Sequence, residues 1–211
     1  SLLSAFSGMF SADAAQKGLS LLAGREGEQV AAPQVNLVDD PFYRDNPMAF
    51  DDEGSPTRYK AVIQQGRLQT LLHNLKTARK AGIATTGNGG RGGASSPVGG
   101  QPSNLYIPKG ELEPAALYQA LGDGLLITEL SGLHAGVNSI SGEFSLLCKG
   151  QLLKGGQPVR PVAYITLGGS FLGLLQGVEG IGTDLKFSLP SGACFGSPSL
   201  LIDGLMVAGQ G

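Results

Sequence analysis

Apolar and polar positions alternate most cleanly over Glu143–Cys148, where Phe144, Leu146 and Cys148 share one side of an extended chain. That pattern predicts a half-buried strand with Cys148 as a core thiol. Leu125–Leu130, Gln151–Leu153, Val159–Thr166, Asp184–Leu189 and Leu205–Ala208 read as further strands, the fourth from the alternation of Leu185, Phe187 and Leu189. Upstream, Val35–Val38 and Asn104–Ile107 are short strand candidates. Tyr59, Ala61 and Ile63 alternate ahead of Gln64-Gln65-Gly66, and Leu68, Thr70 and Leu72 alternate after it, which predicts a hairpin over Arg58–Asn74 with His73 at its frayed edge. Helical spacing is confined to short stretches. Leu3, Phe6 and Phe10 recur at helical intervals, a second helix is expected from Ser11 through Leu22 to Gly24, and Glu111–Leu121 has Pro114 in its first turn and Gly122 as its stop. Phe171–Leu175 is a short helix candidate before the Gly-rich turn Gly177–Gly182. The expected fold is α+β, mostly antiparallel sheet in a barrel-like arrangement, with a few short helices.

Composition bounds the possibilities. A chain of 211 residues buries about 70% of its unfolded surface, enough for a core without staples. The 34 glycines and short apolar runs favour turns and strands over a helical bundle. A net charge of −2 leaves no basic footprint for nucleic acid or an anionic membrane. No stretch reaches the ~18 apolar residues of a membrane span, and Ser1–Phe10 lacks the basic start of a signal peptide. Cys148 and Cys194 do not make a disulfide scaffold, so a reducing cytoplasm is the expected location.

Most chemical motifs fail their context. Residues 39–57 hold five Asp and one Glu against one Arg, but not at the spacing of a Ca²⁺ loop, and read as a solvated surface loop. Gly87-Asn88-Gly89-Gly90-Arg91-Gly92 satisfies G-x-G-x-x-G, yet more Gly, Ser and Pro follow where a dinucleotide site needs a helix. Thr86–Ser103 therefore reads as a flexible loop in which Arg91 and free backbone N–H groups are able to hold a carboxylate or phosphate. There is no P-loop, nucleophile elbow or H-E-x-x-H, and no His/Cys pair has zinc-ligand spacing. His134 lies in a Gly- and Ser-dense loop, Ser131–Gly142, with Asn138 four residues on, but no acid or nucleophile accompanies it.

Several stretches together resemble the TldD/PmbA family, known as candidate modulators of DNA gyrase: Asp39-Asp40-Pro41, Ala49–Thr57, Thr86–Arg91, His134–Ser145 and Gly196–Gly209. The likeness is collinear over nearly the whole chain and leans to the PmbA (TldE) branch. It implies that residues 1–211 are a C-terminal domain, with residues 1–34 a helical lead-in from a preceding domain. In the family, TldD and TldE pair as a zinc protease that trims small unfolded peptides. TldD carries HExxxH in its N-terminal half and adds a Cys from its C-terminal half, whereas TldE lacks the motif. Zinc is thus implied only in a TldD-type partner, and no cofactor in this chain. Cys194 lies near the position of that Cys, but its context is Cys-Phe-Gly-Ser-Pro-Ser rather than Cys-Gly-Lys-x-Gly-Gln, so no zinc role is assigned to it. The implied partners are a TldD-type subunit or a second copy, and an unfolded peptide. Thr86, Asn88, Arg91, His134 and Asn138 become candidates for a peptide groove or subunit interface, on polarity and loop position.

Overall fold

The computed structural model describes residues 1–43, 47–188 and 193–209. Its strands are β1 (Leu37–Asp39), β2 (Lys60–Gln64), β3 (Arg67–Leu68), β4 (Gly89–Gly90), β5 (Gly99–Gly100), β6 (Asn104–Tyr106) and β7 (Gly124–Ser131). They continue as β8 (Glu143–Lys154), β9 (Gln157–Ser170), β10 (Val178–Ile181), β11 (Lys186–Phe187), β12 (Cys194–Ser197), β13 (Leu200–Ile202) and β14 (Met206–Ala208). The α-helices are α1 (Leu2–Ala5), α2 (Ala12–Gln16), α3 (Leu75–Ala81), α4 (Pro114–Leu121) and α5 (Phe171–Gln176), with a 3₁₀ turn at Ser7–Phe10.

The α+β class and the predominance of antiparallel pairing stand, but the barrel does not. The larger sheet runs β11-β12-β6-β1-β2-β3 and the second β14-β9-β8-β7, so each ends on two strands that do not pair with each other. Closure requires the end strands to bond. One-sided burial serves an open sheet packed on a layer as well as it serves a barrel. β8 shows this: Phe144, Leu146 and Cys148 are buried and the residues between them exposed. Gly150 keeps β8 continuous where two separate strands were expected; a Cβ there would lie 1.9 Å from the Leu126 carbonyl oxygen.

One core joins both sheets to the N-terminal segment. Phe6 stacks on Phe171 at 4.7 Å, and Phe10 and Phe144 meet this pair edge-on at 6.3 Å. The expected second helix stops at Gln16 rather than Leu22; Leu22 is still buried, carried by turns rather than helix. The hairpin is shorter than expected. Its arms pair at Ile63↔Leu68 and Gln64↔Arg67 and share a last bond from Gln69 N–H to the Val62 carbonyl (2.8 Å), and Gly66 (φ +75°) ties the turn back to Val30, Ala31 and Val35. Of the predicted strand Asp184–Leu189, only β11 forms, and Leu189 lies outside the described residues. The Gly177–Gly182 turn is largely strand β10, paired with β13. No helix among the described residues is long and apolar enough to cross a membrane.

Candidate functional site

The acidic stretch after β1 is not simply solvated. Asp39 is fully buried: Oδ2 accepts from Lys60 Nζ (2.9 Å) and Asn88 Nδ2 (2.8 Å), and Oδ1 accepts from the Ser103 backbone N–H (2.7 Å). The β1–β2 register sets Asp39 opposite Lys60. The Asn88 amide also donates to the Gln101 carbonyl (2.8 Å), and its Oδ1 accepts from Thr86 Oγ1 (2.8 Å). A buried ion pair is weak evidence for stability, but such a network fixes geometry when its lone pairs are satisfied.

A second carboxylate, Asp51, holds the same segment from another side. Its Oδ1 accepts from the Glu53 (3.0 Å) and Ser55 (2.8 Å) N–H groups, closing an Asx turn, and its Oδ2 accepts from Gly89 N–H (2.8 Å). Asp52 Oδ2 then accepts from Arg91 N–H (2.8 Å). The segment read as a flexible Gly-rich loop is thus in part a ribbon, β4 paired with β5, braced by the Asp-rich turn. Space requires the glycine at Gly100, where a Cβ would lie 2.5 Å from the Leu72 carbonyl; one at Gly89 would meet the Glu53 side chain at 2.6 Å, while Gly99 has open space.

His73, expected at a surface edge, is buried beneath this ribbon. Its carbonyl accepts from Thr85 Oγ1, and its N–H donates to Thr86 Oγ1 (2.7 Å). Its Nδ1 is buried without a partner, and burial pushes the imidazole pKa below its ordinary value, against smaller raising effects of a Thr77 backbone bond and Glu26. Helix α3 follows, started by a reciprocal Asn74–Thr77 capping box and stopped by Gly82 at φ +71°. Sequence reasoning missed this helix and the Asp39–Lys60 pair; Asn74 and Gly82 were the available signals for the former.

Thr86, Asn88 and Arg91 are therefore brought together, the first two buried and the third exposed. A cleft of about 490 Å³ opens beside the ribbon, lined among others by Arg91, Gly100, Gln101, Pro102, Gly8 and Phe195. His134 and Asn138 share no hydrogen bond or ion pair with those three among the described residues. His134 is exposed on a turn. Asn138 shapes its own loop, its Oδ1 accepting from Ile140 (3.0 Å) and Ser141 (3.1 Å) N–H groups. That loop packs on the N-terminal segment, since a Cβ at Gly142 would lie 3.0 Å from Leu21.

Cys148 and Cys194 are both free and buried, and burial raises the Cys148 thiol pKa. Cys194 sits on β12 opposite Asn104 of β6, an almost fully buried amide whose Oδ1 lacks a partner. Among the described residues no three His, Cys, Asp or Glu converge as a metal site. The residues present thus do not by themselves fit a zinc centre, and no catalytic step is derived through one.

The class defined is an open-sheet α+β domain built round a buried carboxylate–amide network. Residues 1–209 match the family described as the PmbA/TldA metallopeptidase C-terminal domain, and the chain belongs to this TldD/PmbA family. A Thermotoga maritima protein described as a candidate modulator of a DNA gyrase superposes with a TM-score of 0.91 and 44% identity, over 98% of this chain and 46% of that one. TldE from Thermococcus kodakarensis superposes with a TM-score of 0.89 and 25% identity, over 99% of this chain and 48% of that one. A metalloprotease of Methanothermobacter thermautotrophicus is 30% identical over 94% of this chain and 45% of its own length. The chain thus spans less than half the length of these relatives.

Proposed function

We propose that residues 1–211 are the C-terminal domain of a TldE/PmbA-type, non-catalytic subunit, which assists a TldD-type zinc protease in cutting small unfolded peptides. In this reading residues 1–34 lead in from a preceding domain, and the assembly is cytoplasmic. The observation that carries it is the likeness to TldE over 99% of the chain. It is supported by the Cys-Phe-Gly-Ser-Pro-Ser setting of Cys194, which departs from the pattern of the catalytic branch. The free cysteines support a reducing compartment. Thr86, Asn88, Arg91, His134 and Asn138 serve as groove or interface, Arg91, His134 and Asn138 as the exposed members. An extended peptide adds to an open sheet edge such as β14, which reads backbone rather than side chains and gives broad specificity. The test is affinity purification of the intact protein with its native partners, followed by a peptide-cleavage assay. Co-elution of a TldD-type subunit and cleavage by the pair are expected, with activity unchanged by Cys194→Ala. A stable homodimer that recruits no such subunit overturns the reading.

A second reading is a homodimeric regulatory or binding protein of the DNA gyrase modulator type without protease activity; what supports its modulator part is the description of the 44% identical Thermotoga maritima protein as a candidate modulator of a DNA gyrase. The same purification separates the two.

A further inference from the structure

Two carboxylates, Asp39 and Asp51, and the amide of Asn88 are engaged in fixing a ribbon of two glycines on each side. Such bracing is more than so small an element needs for its own stability, since β4 and β5 bury no side chains. What the ribbon carries is Arg91, at its exit and on the wall of the 490 Å³ cleft. The Arg91 backbone is pinned to Asp52, while its guanidinium forms no ion pair or hydrogen bond with any described residue. Gln101 lies across Gly90, where a Cβ would meet its Oε1 at 2.7 Å, and its amide also makes no side-chain hydrogen bond. Among the described residues the cleft lining includes no carboxylate and one formal charge, that of Arg91. The remaining walls are the Ser7 hydroxyl, Pro102, Ala193 and the half-buried Phe195, with Gly8, Gly92 and Gly100 leaving room for a backbone to approach.

These features select among anions. A phosphate dianion calls for more than one cation or a nest of N–H donors. One guanidinium with an amide donor beside apolar walls suits a singly charged, planar group on an organic stem. A guanidinium meets a carboxylate by two parallel hydrogen bonds. We propose that this cleft binds the C-terminal carboxylate of a short peptide, with Arg91 as its anchor, Gln101 as a second donor and Phe195 against the last side chain. The inference rests on the peptide-handling reading above, but it concerns the end of the peptide rather than its cleavage.

The test uses the intact protein and a short peptide labelled at its N-terminus, prepared as the free acid and as the C-terminal amide, with binding read by fluorescence anisotropy. The free acid is expected to bind about tenfold more tightly, the advantage of one partly exposed charge-assisted contact. Arg91→Ala should remove that advantage and leave the amide's affinity unchanged, and Arg91→Lys should retain part of it. Because Arg91 is exposed, the variants should melt with the wild type, which separates lost binding from lost folding. Arg79→Ala, at an exposed cation on α3, should leave the preference intact. Equal affinity for acid and amide, binding of neither, or a preference that survives Arg91→Ala overturns the proposal. So does inorganic phosphate displacing the peptide more effectively than acetate does. Partner co-elution and cleavage are read separately, so failure of this site is distinguishable from failure of the protease-subunit reading.

Discussion

Replacing Asp39 with alanine removes the acceptor for three donors at once: Lys60 Nζ, Asn88 Nδ2 and the Ser103 N–H. Asn88 keeps its bond to the Gln101 carbonyl, but among the described residues Lys60 Nζ has no other partner, and its side chain is 7% exposed. An ammonium left buried without its counterion costs about 3–5 kcal/mol. The orphaned Ser103 N–H belongs to the same event and is not added separately. With a urea m-value of about 2–3 kcal/mol/M, the midpoint of unfolding should fall by roughly 1–2.5 M. The assay is equilibrium urea denaturation followed by circular dichroism. Removing both charges, in Asp39→Leu with Lys60→Met, should recover much of the loss, since apolar replacement of a buried pair is often neutral. A midpoint for Asp39→Ala within about 0.2 M of wild type would refute the reasoning, because it would mean that Lys60 reaches water at little cost.

Three further outcomes follow from particular contacts. His73 has its pKa lowered from 6.5 by burial, so the unfolded chain takes up a proton that the folded chain refuses; stability should fall as pH drops below about 6.5, by at most about 1.4 kcal/mol per pH unit, and His73→Gln should flatten that limb in urea titrations at pH 5 and 7.5. Gly66→Ala should destabilise by about 2–4 kcal/mol in the same assay, because φ is +75° and the new Cβ would lie 2.4 Å from the Ala31 carbonyl oxygen; a loss below about 0.5 kcal/mol would show that this turn relaxes freely. Cys148, buried and with its thiol pKa raised, should resist iodoacetamide at pH 8 until denaturant unfolds the chain, and mass spectrometry of the native protein showing rapid alkylation at Cys148 would contradict its place on the buried face of β8.

The parts of the fold legible in the sequence were those with a period. The β8 alternation places Phe144, Leu146 and Cys148 in the core, and Pro114 with Gly122 brackets α4. Helix α3 was not legible by period, because Lys76, Arg79 and Lys80 take three of the seven positions of a helix that buries only Thr77 and Ala78. The ribbon β4–β5 was hidden for a simpler reason: two glycines carry no side-chain pattern. The site was harder still. Asp39 reads as one more acid in a charged run, and only tertiary pairing with Lys60, 21 residues on, and Asn88, 49 residues on, reveals it as buried. Thr86, Asn88 and Arg91 could be singled out as polar residues among glycines, but which of them faced inward could not.

The two candidate loops differ in how far their hydrogen bonds reach, and that difference bears on what each can do. Asn138 accepts from residues two and three positions on, and the loop's bonds beyond itself run to β8 and, from Phe171 N–H to the Gly142 carbonyl (2.7 Å), to α5, but not to the ribbon. The ribbon is tied to β1 through Asp39, to the acidic turn through Asp51 and to His73, two residues before α3, by the Asn88 N–H donating to the His73 carbonyl (3.3 Å). A displacement of any of those three is therefore transmitted to the backbone that bears Arg91, whereas the His134 loop is insulated from them. Substitutions at Asp39 or Asp51 should accordingly weaken both folding and any function of the Arg91 cleft, and the two losses should scale together across a mutant series. Substitutions at Asn138 should alter the His134 surface while leaving the cleft as it was. Functional loss at the cleft without stability loss is then expected only for Arg91 and Gln101, whose side chains hold nothing else in place.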